Sequence, residues 1–209
     1  MEFFPFNDHC ALQLSELRLP MTREKVVEVL AKRGFKELDL GFEAMIEAAR
    51  DCIGKSEYDR VDPRLAPLVV DCATFLMWVY GQRGVLLPRY PIQQRKMGRP
   101  IDLLEVRIGD LLFMRGYRPL YDDDPNNAVG HCGIVTEKGT VVHAANGRVG
   151  VIEQPMERFV GGGDGFRGAR RIIEDEADVL TFLNTKRRWL RSSDDFRYII
   201  LKIPPHKHW

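Results

Sequence analysis

The chain lacks most of the features that mark a protein for nucleic acid, membrane or metal. Its 31 Lys and Arg are matched by 30 Asp and Glu, a formal net charge of +1, so it has no basic footprint for a phosphate backbone. Single-sign runs are short: Asp122-Asp123-Asp124 and Lys186-Arg187-Arg188 read as solvated faces. No apolar stretch approaches the roughly 20 residues of a membrane span. The four cysteines, at 10, 52, 72 and 132, form no C-x-x-C pair, which argues against a zinc site or a disulfide framework. Of five histidines, His206 and His208 flank Lys207 in a tract too close to the chain end to read as a metal site. No cofactor or metal is expected, and no internal repeat is visible. Residues 1–8 lack a basic start, an apolar core and a small-residue cleavage site, so the expectation is a cytoplasmic protein with reduced thiols, with export by a non-classical route left open. The oligomeric state is also left open.

What is present is a globular composition, 44% hydrophobic and 29% charged, in 209 residues that suit one domain with extensions. The stretch that organises it is Val70-Asp71-Cys72-Ala73-Thr74-Phe75-Leu76-Met77-Trp78-Val79-Tyr80. Asp71 is a good N-cap for the helix that Phe75, Leu76, Val79 and Tyr80 anchor by their spacing. Cys72 then stands at the first helical position, where the dipole favours its thiolate. A cysteine there is either a nucleophile held rigidly at a surface or a small buried residue. Asp71 supports either role through the cap.

The remaining elements are read from periodicity and breakers. Residues 1–20 look irregular. Helices are expected over Arg23–Lys32 behind Thr22, and over Phe42–Cys52. Residues 57–67 form a loop with two prolines, and Gln93–Met97 a short helical turn. Strands are expected at Leu111–Met114, His131–Thr136, Thr140–Ala145, Val149–Glu153 and Ala169–Ile173, with Asn146-Gly147 as a tight turn and residues 115–129 as a polar loop. Residues 178–191 fit either a helix or a strand plus turn, and Phe196–Ile203 reads as a strand. Helices first and then a run of strands is the order of an α+β protein.

Two histidines fall on the neighbouring strands, His131 and His143. A thiol needs a base, and the base needs a third group to fix its orientation. Cys72, His131 and His143 would supply nucleophile, base and orienter. Strand alternation tests the idea. A two-residue turn at Lys138-Gly139 would set His143 opposite Ile134 and send the two histidines to opposite faces. The triad therefore requires a three- or five-residue loop, or a bulge, between 134 and 142. It also requires that Cys132 point away from His131.

These residues carry a resemblance. Asp71 through Tyr80 is followed by Leu87-Pro88-Arg89, Gln93-Gln94, Gly98-Arg99-Pro100, Gly109-Asp110-Leu111-Leu112-Phe113, Gly130-His131-Cys132-Gly133-Ile134-Val135 and Val142-His143-Ala144. In order and spacing the set resembles the NlpC family of papain-like cell-wall cysteine peptidases. The resemblance implies a papain-like α+β fold with the nucleophile helix packed on an antiparallel sheet. It implies a catalytic domain over 54–173, an N-terminal helical extension over 1–53 packed on the core, and a C-terminal extension over 174–209 within the same domain. It implies Cys72 as nucleophile, His131 as general base and His143 as third polar residue, with Tyr58 in the loop that supplies an oxyanion contact. The implied substrate is a peptidoglycan-derived peptide, cut at the γ-D-glutamyl-diamino-acid bond through an acyl-enzyme. The chain departs from the family pattern at Tyr58-Asp59-Arg60, where a Gly-rich stretch is usual, and at Ala73-Thr74, where Ser and Gly are common. Its 115–129 loop is also longer than usual. Two other readings stay open: acyl transfer or another amidase reaction by the same triad, and an inactive papain-like binding module.

Overall fold

The computed structural model describes residues 7–60, 62–116, 128–161, 165–188, 190 and 192–202. The acidic run at 122–124, most of the 115–129 loop and the His206-Lys207-His208 tract lie outside these residues.

The first elements among the described residues are strand β1 (His9–Gln13) and one turn of helix, α1 (Leu14–Leu17), where the sequence looked irregular. Helix α2 (Arg23–Ala31) starts as expected, with the Thr22 hydroxyl accepting from the Lys25 amide. A strand that periodicity did not reveal follows, β2 (Phe35–Leu38). Helix α3 (Phe42–Asp51) buries Phe42, Met45, Ile46 and Ala49 at helical spacing. The Pro-bearing loop is flanked by two short parallel strands, β3 (Glu57–Tyr58) and β4 (Val69–Val70), which lead into helix α4 (Cys72–Gln82). A turn of helix, α5 (Pro91–Gln94), begins with Pro at its first position, two residues earlier than expected. Strands β5 (Arg99–Ile101), β6 (Leu111–Met114), β7 (His131–Val135), β8 (Thr140–Asn146) and β9 (Gly150–Pro155) come next. Helix α6 (Met156–Val160), β10 (Phe166–Arg171), β11 (Val179–Asn184) and helix α7 (Ser193–Leu201) complete the order.

Residues 196–201 correct the strand expected there. Their aromatic and β-branched content suits a strand. Ser192 and Asp195 instead form a capping box, and Phe196 and Ile200 fall on one buried helical face. Of the two options for 178–191, the strand is the one found.

Six strands make one antiparallel sheet, in the order β5-β10-β6-β7-β8-β9. One face packs against α4, with Leu111, Phe113, Cys132, Ile134, Val142 and Ala144 sharing a core with Phe75, Leu76, Val79 and Tyr80. Helix α4 is apolar nearly all round because α3 covers its other side. The opposite face of the sheet packs Leu112, Val135 and Val141 under Phe159 of α6. The two lists alternate along the strands as the pleat requires.

The first and last parts of the chain share a second sheet, ordered β1-β11-β2 and antiparallel throughout. Its core unites Leu12, Phe35, Leu180 and Phe182 with Leu17 of α1, Val26 and Leu30 of α2, and Phe196 and Ile200 of α7. Arg83, just past α4, joins this sheet to the larger core. Its guanidinium, 1% exposed, donates to Thr181 Oγ1 (3.3 Å), Glu176 Oε1 (3.2 Å) and the Val179 carbonyl (2.9 Å).

Candidate active site

The site is built from the start of α4 outward. Asp71 has an extended backbone, and its Oδ1 accepts from the amides of Ala73 (3.1 Å) and Thr74 (2.8 Å). The Thr74 hydroxyl oxygen accepts in turn from the Asp71 amide (2.7 Å), so Thr74 completes a capping box. Arg89 clamps the same carboxylate, Nη1 to Oδ1 at 3.2 Å and Nη2 to Oδ2 at 2.5 Å. Two groups thus hold Asp71 rigid, and Asp71 fixes the backbone of Cys72. Arg89 was legible only as part of a motif; its pairing with Asp71 was not.

The hairpin carries the histidines to one face. Ile134 pairs with Val142 and Val135 with Val141, so Gly133 lies across from His143. The connection is a three-residue loop, Glu137-Lys138-Gly139, closed by the Thr136 amide on the Thr140 carbonyl (2.9 Å). Gly139 takes φ +68° in that loop, which only glycine adopts freely. The odd loop length is the one the triad required. The next turn differs from expectation. The left-handed residue is Gly150 rather than Gly147, because Asn146 Oδ1 accepts from the Arg148 amide in an Asx turn.

His131 Nε2 and His143 Nδ1 are 2.8 Å apart. With Nε2 so engaged, Nδ1 of His131 is the nitrogen left to meet the Cys72 thiol, whose sulfur lies 3.8 Å from the carbonyl of the preceding Gly130. Phe159 packs against both imidazoles, with ring centroids 5.6 Å from His131 and 4.9 Å from His143. Gly133 leaves the space for this stack. A Cβ there would come within 2.5 Å of Val141 Cγ1 and 3.1 Å of both His143 and Phe159.

Burial, reinforced by the charge on His131, pulls the His143 pKa down to about 3. A ring that stays neutral can accept through Nδ1, which places its own proton on Nε2. That Nε2 is buried and has no hydrogen-bond partner among the described residues. The Cys72 thiol is held below the usual thiol range, first by the Cys132 thiol and then by His131, against the opposing effect of burial. Cys132 points to the α4 face of the sheet, away from His131, as alternation requires. Its sulfur stands 3.7 Å from Gln94 Oε1, a contact that sequence reasoning did not foresee.

Tyr58 lies on β3, half-buried against the α4 core. Burial and then the nearby Cys72 raise its pKa to about 12, so its hydroxyl keeps its proton. All five residues singled out from the sequence therefore gather at the start of α4. Among the described residues no group of His, Cys, Asp or Glu could hold a metal ion, and no helix is long and apolar enough to cross a membrane.

The model of the NlpC/P60 family matches residues 55–160, the segment that contains this cluster. A probable endopeptidase of Corynebacterium glutamicum (strain ATCC 13032) is 27% identical over 154 residues, covering 73% of this chain and 66% of that protein. A probable endopeptidase NlpC homologue of Haemophilus influenzae is 30% identical over 91 residues, 43% of each. The chain spans less than two thirds of the length of these relatives. Among solved structures, NlpC2 from Trichomonas vaginalis superposes with a TM-score of 0.52 at 20% identity, covering 63% of this chain and 46% of that one. An NlpC/P60 family protein from Bacillus cereus gives 0.52 at 20% identity, with 64% and 40% covered. At such identities the likeness speaks for the fold.

Proposed function

Because the chain belongs to the NlpC/P60 family, we propose that it is a cysteine peptidase acting on peptidoglycan-derived peptides, with Cys72 as nucleophile, His131 as general base and acid, and His143 as orienter. The observation that carries the reading is the 2.8 Å contact between His131 Nε2 and His143 Nδ1, on the strand pair beside the thiol. In this reading His131 takes the Cys72 proton through Nδ1, and the thiolate attacks the scissile carbonyl. The imidazolium donates its Nε2 proton to neutral His143, which keeps the ring aimed at the thiol. The oxyanion meets the Cys72 amide, which the Asp71 cap leaves free, and the Tyr58 hydroxyl. His131 then protonates the leaving amine, and water cleaves the acyl-enzyme.

By resemblance the bond is γ-D-glutamyl-diamino-acid. The relatives named probable endopeptidases support a peptidase. Incubation with tripeptide and tetrapeptide muropeptides, followed by mass spectrometry, tests the reading. Wild type is expected to release the diamino acid end and Cys72→Ala to leave the substrate whole. Intact muropeptides after incubation with wild type would sink it.

A further inference from the structure

One proton in this arrangement lacks a conventional acceptor. A neutral His143 that accepts through Nδ1 carries its proton on Nε2, and that nitrogen is buried without a hydrogen-bond partner among the described residues. Leaving a buried N–H unsatisfied is unfavourable. The other tautomer would avoid this by placing the proton on Nδ1 and donating it to His131 Nε2. His131 would then carry its own proton on Nδ1 and could take none from Cys72. Whatever holds the His143 proton on Nε2 therefore keeps His131 a base.

The group packed against that ring is Phe159. Helix α6 lays it on the sheet face opposite α4, in one core with Leu112, Val135 and Val141, and it is 6% exposed. His143 shares that face, two residues from Val141 along β8. The His143 and Phe159 rings meet nearly at right angles, with 75° between their planes and centroids 4.9 Å apart. In a T-shaped pair one ring offers its positive edge to the negative face of the other. An N–H is the most positive part of a neutral imidazole edge, and burial with the charge on His131 keeps His143 neutral. Gly133 admits the contact, since a Cβ there would stand 3.1 Å from both His143 Cβ and Phe159 Cε2.

We propose that the ring face of Phe159 accepts the Nε2–H of His143, an N–H···π hydrogen bond that fixes the tautomer of the orienter and, through it, of the base. The same face repels a lone pair at Nε2, so it discriminates between the two tautomers. With the proton held on Nε2, His143 Nδ1 can only accept. His131 must then donate from Nε2 and present a lone pair at Nδ1. Phe159 is a positioning residue, acting on the thiol through two imidazoles, and no proton passes to it. The contact also gives a buried N–H an acceptor that the oxygens and nitrogens of the described residues do not supply.

The inference rests on His131 serving as base to Cys72, and its main test uses no substrate. Proton–nitrogen correlation spectra of histidine-labelled protein at neutral pH show which ring nitrogen of His143 holds the proton and where that proton resonates. Nε2 is expected to hold it, and the proton is expected upfield of an imidazole N–H bonded to oxygen, because it lies over a ring face. Phe159→Leu keeps an apolar side chain in the core and removes the face. In this variant, first checked for a cooperative thermal melt, the Nε2 proton is expected to move downfield. Its kcat on muropeptides is expected to fall about two- to fivefold with KM held. A proton on Nδ1 in wild type overturns the proposal. So does an Nε2 proton that moves upfield, or not at all, when the ring is removed, and an unchanged kcat defeats the positioning role. If Phe159→Leu does not fold, the wild-type spectrum decides alone. An upfield Nε2 proton then supports the contact, and a downfield one, as a water or carbonyl acceptor would give, defeats it. An upfield Nε2 proton in protein that leaves muropeptides uncut would sink the peptidase reading and leave the contact standing.

Discussion

In the six-stranded sheet, β6, β7, β8 and β9 follow one another along the chain and pair in that order. In the three-stranded sheet, β11 lies between β1 and β2, which belong to the other end of the described chain. The two sheets differ as much in what they bury. The larger one holds titratable side chains inside: His143 and Cys132, and an Asp110–Arg171 pair in which Asp110 also accepts from the Arg107 amide. The smaller is closed by the rings of Phe35, Phe182 and Phe196, 5.3 to 6.3 Å apart. The larger sheet spends buried volume on titratable groups at the candidate site; the smaller, Thr181 and Asn184 apart, closes on groups that need only contact. Activity and stability are therefore expected to respond to different substitutions.

The sharpest separation is expected at Cys72. Cys72→Ala should reduce muropeptide hydrolysis on the order of 10⁴-fold or more, with little change in melting temperature. A residual rate within tenfold of wild type would move the chemistry elsewhere. Tyr58→Phe should lower kcat about 10²-fold with KM nearly unchanged, the pattern of a donor used only in the transition state. Steady-state kinetics on the same substrate would read this, and a rise in KM alone would contradict it. The smaller sheet should behave in reverse. Phe182→Ala removes a ring from the terminal core and should cost about 3–5 kcal/mol in urea unfolding, with kcat of the folded fraction retained. A large fall in kcat with an unmoved urea midpoint would break the comparison.

Gly133→Ala tests the boundary between the two behaviours. The added methyl must displace Val141, His143 or Phe159, at about 1–3 kcal/mol, and it should lower kcat as well because the displaced ring orients the base. The remaining effect is in pH. The folded pKa of His143, about 3, lies below the ordinary histidine value. Between those two pH values the unfolded chain binds the proton and the folded one does not. Stability from this group is full above pH ~6.5 and falls as pH drops toward 3, by up to ~1.4 kcal/mol per unit. Urea midpoints at pH 4, 5 and 7 should converge in slope when His143 is replaced by Gln. Identical slopes in both proteins would remove the buried neutral imidazole from the account.

The same contrast explains what could be read in advance. The start of α4 was legible because a cap, a dipole position and an apolar face are all local. The hairpin loop was legible because one parity argument joins His131 to His143. The partner of Asp71 was not: Arg89 comes from the connection between α4 and α5, and no spacing rule links the two. The three-stranded sheet was missed for a related reason. β1 and β2 are short and become strands only when β11 pairs with both. At 196–201 the residue types favour a strand, and only the box between Ser192 and Asp195 reverses them.

The place of β11 bears on how the chain is made. β1 and β2 are synthesised early and do not touch, so a slot one strand wide stands open between them until Val179–Asn184 arrives. Throughout that interval two unpaired strand edges face each other, as does a half-built core of Leu12, Val26, Leu30 and Phe35. Arg83 waits as well, since two of its three acceptors, Thr181 and the Val179 carbonyl, arrive with the missing strand. Among the described residues, the last strand to be made is thus the one that closes the smaller sheet.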